Sequence, residues 1–116
     1  MEDPITFDVW AVIAPGHKAQ AEQRLHHARP ELTRLQVLQA VTKSAATGNP
    51  LLLQQNVGWA AASECAEHVT PAFRELQLYQ SGYGPDDQAS MHWCPTHKLH
   101  YGGVLGCPVC RGDYVD

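Results

Sequence analysis

The chain has 116 residues, 44% of them hydrophobic, with 8 basic and 12 acidic side chains and a formal net charge of −4. That length supports one modest core with a small appendage, and the acidic balance excludes a broadly basic nucleic-acid binder. No apolar run approaches the length needed to cross a bilayer, so no membrane association is expected.

In chain order, Met1, Glu2, Asp3 and Pro4 make an acidic opening, and the apolar run that follows stops at Pro15, so no secretory leader is expected. Ile5, Phe7, Val9, Ala11 and Ile13 alternate with Thr6, Asp8, Trp10 and Val12, which predicts a strand ending at Pro15 and Gly16. A helix follows over residues 17–27, rich in Ala, Gln, Glu and Arg, with Pro30 just beyond it. Leu35, Val37, Gln39 and Val41 alternate as a second strand, although Leu32, Leu35, Leu38 and Val41 also fit a helix in steps of three.

Thr47, Gly48, Asn49 and Pro50 form a turn, and residues 51–54 make a short apolar strand. Asn56, Val57 and Gly58 then open an Ala-rich helix that runs to about His68 and is closed by Thr70 and Pro71. Residues 73–80 form a final strand, with Leu76 and Leu78 alternating against Gln77 and Tyr79. Taken with the strand reading of residues 35–41, the order is strand, helix, strand, strand, helix, strand. This is the ferredoxin-like βαββαβ arrangement of an α+β sandwich. It would place Trp10, Val12 and Tyr79 on the sheet face away from the helices, where they need a cover.

Residues 81–92 are rich in Gly, Pro and acids and read as an exposed linker. The expected organisation is an α+β domain over residues 1–80, this linker, and a separate module over residues 93–116. In that module Cys94 and His97 form one Cys-x2-His pair, and Cys107 and Cys110 form a Cys-x2-Cys pair nine residues later. Two pairs at this spacing point to a tetrahedral zinc site. Pro95 and Pro108, each following a leading Cys, preset the turns. His92 and His100 flank the first pair as alternative ligands. Lys98 and Arg111 are adjacent cations that would offset the negative charge of three thiolates and one imidazole around Zn2+. Residues 98–101 and 104–106 read as two short strands turned by Gly102 and Gly103.

Residues 94–112 resemble zinc-ribbon knuckle modules, whose usual pattern is Cys-Pro-x-Cys followed by Gly. Here His97 stands in place of a Cys, and Arg111 precedes Gly112. The resemblance covers about a sixth of the chain and implies metal binding without implying a particular partner.

With no secretory leader expected, a reducing, cytoplasmic setting is expected, and this disfavours disulfides. Between Lys18 and Lys43 the basic residues Lys18, Arg24, Arg29, Arg34 and Lys43 outnumber Glu22 and Glu31, which reads either as a solvated helix face of mixed charge or as an anion-facing or partner-facing surface without interleaved aromatics. Cys65 and His68, three apart on one helix face, are the candidates for thiol chemistry. No phosphate loop, dinucleotide fingerprint or His-Glu-x-x-His is present, so enzymatic activity is not expected. The function expected from the sequence is a small zinc-binding protein-interaction module, an adaptor, subunit or inhibitor of a larger protein. Trp10, Tyr79 and Trp93 are its expected contact residues, and a second copy of the chain is a further candidate partner. The alternative is a nucleic-acid-binding regulator using Lys18, Arg24, Arg34 and the metal module.

Overall fold

The computed structural model of the chain describes residues 5–67 and 72–114, so the expected helix closure at Thr70 and Pro71 lies outside the described residues. β1 (Phe7–Ile13) is followed by α1 (Lys18–Ala28), α2 (Arg34–Thr47), β2 (Leu51–Val57), α3 (Trp59–Glu67) and β3 (Phe73–Gln80). A 3-10 helix (Pro85–Ser90) then leads to β4 (His92–Cys94), β5 (Leu99–Tyr101) and α4 (Pro108–Arg111). The result is a mixed α+β fold on one five-stranded sheet of order β2-β1-β3-β5-β4.

The segment read as a second strand is α2, so the ferredoxin-like order does not form. The reason lies at the helix ends. The Thr33 hydroxyl accepts from the Gln36 N–H at 3.2 Å, and the Gln36 side chain accepts from the Thr33 N–H at 2.8 Å, a complete capping box. Gly48, at φ 74°, closes the other end in the left-handed conformation. Between these caps Val37, Val41 and Ser44 recur at helical spacing and are buried, whereas strand alternation would have turned Gln39 inward with Val37 and Val41.

β1 lies between β2 and β3 and is antiparallel to both, while β5 runs parallel to β3 and pairs with β4 on its far side. Phe7, Val9 and Ala11 share one core with Ala21, Leu25, Val37, Val41, Leu53, Ala62 and Leu78 from the helices and neighbouring strands. Cys94, Leu99 and Cys107 belong to that same core, so the C-terminal residues extend the sheet and its buried cluster. The strand expected at residues 104–106 is absent. β5 takes β4 as its hairpin partner, and residues 102–106 form an irregular loop with Gly103 at φ 93° and Gly106 at φ 89°.

Strand register builds two cross-sheet rows. Val9, Leu78, Leu99 and Cys94 are successive partners in the row under the helices, and Asp8, Tyr79, His100 and Trp93 form the next row on the opposite face. That opposite face is covered in part from within the chain, while Trp93 stays 51% exposed. Gly84, at the start of the 3-10 segment, lies against the Trp10 indole, and Gln88 Nε2 lies 3.4 Å from His100 Nε2. Tyr79, expected on an open face, is fully buried, with His100 stacked on its ring at 4.7 Å.

Asp8, a buried carboxylate, ties the sheet ends together. It accepts from the Asn56 N–H and from Ser81 Oγ, each at 2.9 Å, which joins the left-handed end of β2 to the residue after β3. Among the described residues no helix is long and apolar enough to cross a membrane.

Because the Thr33 hydroxyl serves an N–H that has no other partner in the helix, Thr33→Ala should lower unfolding stability by about 1 kcal/mol. Urea denaturation followed by circular dichroism measures this. An unchanged midpoint would contradict the assigned start of α2.

Candidate metal centre

β4 and β5 are a hairpin, and the first pair of candidate ligands lies at its tip. Cys94 closes β4 and His97 lies in the turn over residues 95–98, which Lys98 completes at φ 51°. Alternation along the strands turns Cys94 and Leu99 toward the core, and sends Trp93 and His100 to the other face.

The second pair is set by a short helix. Cys107 is the N-cap of α4, Pro108 occupies its first turn, and Gly112 ends it at φ 80°. This single helical turn returns Cys110 toward Cys107. Pro108 and Gly112 mark the two ends of this turn in the sequence.

Cys94, His97, Cys107 and Cys110 thus come together with their ligand atoms all within 4.8 Å of one another, a cluster that can hold one metal ion. His97 Nδ1 stands 3.6 Å from Cys94 Sγ, 3.9 Å from Cys107 Sγ and 3.4 Å from Cys110 Sγ, and the Cys94 and Cys110 sulfurs are 3.8 Å apart. The nitrogen that faces the sulfurs is therefore Nδ1. Cys94 and Cys107 are buried and Cys110 is exposed.

Burial opposes ionisation of Cys94. Hydrogen bonds from the His97 backbone, the His97 ring and the neighbouring thiols outweigh it and bring the Cys94 thiol down to about 6. Hydrogen bonding to Cys94, with a contribution from burial, pushes Cys110 up to about 11. Without an ion, then, Cys94 takes the negative charge and Cys110 keeps its proton. A cation in their midst removes that conflict.

The alternative imidazoles are engaged elsewhere. His92 packs on Tyr101 with ring centres 5.5 Å apart, and His100 is held between Tyr79 and Trp93, each at 4.7 Å. Of the adjacent cations, Arg111 donates to Asp113 at 2.9 Å, while Lys98 is exposed.

Sequence reasoning missed the floor of the cluster. Trp59, the first residue of α3, meets the His97 ring edge-on at 5.7 Å, and Phe7 packs edge-on against Trp59 at 5.1 Å. Trp59 sits 38 positions before His97 (97 − 59) in a different element. The only signal was a Trp following a Gly at a helix start.

The remaining expected site residues are scattered. Trp93 is 51% exposed, Trp10 is half-buried and Tyr79 is buried. Lys18 and Arg34 are exposed at the starts of α1 and α2, whereas the Arg24 guanidinium donates to Cys65 Sγ at 3.6 Å. Cys65 is only 4% exposed, and burial raises its thiol despite the opposing Arg24 charge. His68, its expected partner, lies outside the described residues.

Comparison with protein-family models, with curated proteins and with solved structures finds no match to this chain.

Cys107→Ser should abolish stoichiometric metal binding, whereas Cys65→Ser should leave the metal content of the wild type unchanged. Elemental analysis of both purified variants checks this pair. Trp59→Ala should loosen the His97 ring and weaken metal retention by about tenfold, read as faster transfer of the ion to a colorimetric chelator. Equal transfer rates would show that Trp59 does not position the ligand.

Proposed function

We propose that this chain is a zinc-binding protein-interaction module, without catalytic activity, that serves as an adaptor, subunit or inhibitor of a larger protein. The carrying observation is the closed set of three sulfurs and one nitrogen. Zinc binds thiolate at about 2.3 Å and imidazole at about 2.0–2.1 Å. In a tetrahedron these lengths give edges of about 3.8 Å between sulfurs and about 3.5 Å between sulfur and nitrogen. The sulfur-to-sulfur contact of 3.8 Å and the sulfur-to-nitrogen contacts of 3.4, 3.6 and 3.9 Å scatter around those edges.

Zinc is favoured over harder ions because thiolate and imidazole are soft to borderline ligands. Four protein ligands leave no position for a water or substrate, which supports a structural role over a catalytic one. Stable thiolates also fit a reducing compartment, which makes the cytoplasm the proposed setting.

The reading as an interaction module draws on what the cluster displays. Trp93 at 51%, Val104 at 96% and Leu105 at 72% are large exposed apolar side chains on the segment that the four ligands fasten. Val104 and Leu105 stand between two left-handed glycines, on a loop held at one end by β5 and at the other by Cys107. An apolar tip with both ends fixed loses little entropy when it enters a cleft. The nucleic-acid alternative draws on the exposed Lys18, Arg34, Lys43 and Lys98, since Arg24 is turned to Cys65 and Arg29 and Arg111 are paired with Glu31 and Asp113.

Elemental analysis with native mass spectrometry should find one zinc per chain. In pull-downs, a partner retained by the wild type should be lost from the double variant Val104→Ser, Leu105→Ser while its zinc content is unchanged. Retention of nucleic acid that weakens steeply with salt would replace this reading with the alternative.

A further inference from the structure

The metal-held hairpin does more than display side chains: it covers the C-terminal part of the β3 edge. β5 pairs with β3 at Leu78 and Tyr79 alone, and both β4 and β5 are three residues long. Of residues 85–114 only Cys94, Leu99, Cys107 and Pro108 are buried, and two of these are metal ligands. So little apolar surface cannot hold a strand pair in place by itself. Removing the ion therefore frees the hairpin. It leaves β3, an eight-residue strand, with unpaired N–H and C=O groups along one side.

The half of that edge beside the hairpin is uncharged. Arg74 and Glu75 lie at the start of β3, and Leu76, Gln77, Leu78, Tyr79 and Gln80 complete it. An antiparallel pairing of two β3 strands about a two-fold axis at Leu78 sets Leu76 opposite Gln80, Gln77 opposite Tyr79, and Leu78 opposite Leu78. Arg74 and Glu75 fall outside the paired stretch, so no charge is buried or opposed. The pairing is self-complementary and closes at two copies.

We infer that metal occupancy controls self-association: the loaded chain is a monomer along this edge, and the stripped chain pairs with a second copy through β3. The inference rests on the zinc reading above, and the two fail differently.

The test is light scattering after size-exclusion chromatography of the full chain, loaded and stripped by chelator, with a phosphine reductant throughout to prevent disulfides. Amide hydrogen exchange is measured on both forms, and metal content is measured first. The expected result is a doubling of mass on stripping, reversed by added zinc. Amides of residues 76–80 should stay protected and those of residues 92–101 should lose protection. Cys110→Ser should give the same dimer without chelator.

A stripped protein that stays monomeric overturns the proposal, as do large aggregates in place of a dimer. A dimer in which residues 92–101 remain protected also overturns it, since the edge is then still covered. A preparation that holds no metal and gains no order from zinc overturns the zinc reading itself, and this proposal with it.

Discussion

Three sulfurs and a ring nitrogen drawn within 4.8 Å of one another constrain the whole C-terminal third of this fold. The strands that carry them are too short to persist alone, and α4 is a single turn. Gathering the four donors fixes the hairpin tip to that turn. The tip rests on Trp59, and Trp59 rests on Phe7 in the central strand, so the cluster is anchored in the core.

The sheet also sorts side chains by role. Period-two alternation sends Cys94 and Leu99 into the core while Trp93 and His100 join Tyr79 in a row of rings on the opposite face. The 3-10 segment crosses that face, with Gly84 against Trp10 and Gln88 beside His100. The apolar surface left open then lies mainly on residues 93–105, beside the candidate metal cluster, and on α2, where Leu35 and Leu38 are exposed. This distribution links the proposed ion to the proposed interface.

The candidate metal cluster was the most legible part of the sequence, because two-residue spacings encode a local geometry that needs no knowledge of the rest of the chain. His97 was separable from His92 and His100 by the same spacing. β1 and β3 were legible from periodicity, and α1 from its composition and the Pro beyond it. α2 was misread because residues 35, 37 and 41 fit strand alternation while residues 32, 35, 38 and 41 fit helical steps of three. The deciding signals were its ends, Thr33 with Gln36 and Gly48, which act on backbone groups and leave no hydrophobic trace. The partner of β5 was also hidden, since a three-residue strand carries too little pattern to choose between β4 and the residues after Gly103. Contacts such as Trp59 with His97 depend on tertiary closure and have no counterpart in local sequence.

The central claim is a tetrahedral zinc ion held by three sulfurs and one nitrogen. X-ray absorption at the zinc edge measures that shell directly on the purified protein. The account predicts three sulfur scatterers at about 2.3 Å and one nitrogen at about 2.0 Å, with no bound water. A shell dominated by oxygen or nitrogen, or one with fewer than three sulfurs, would contradict it.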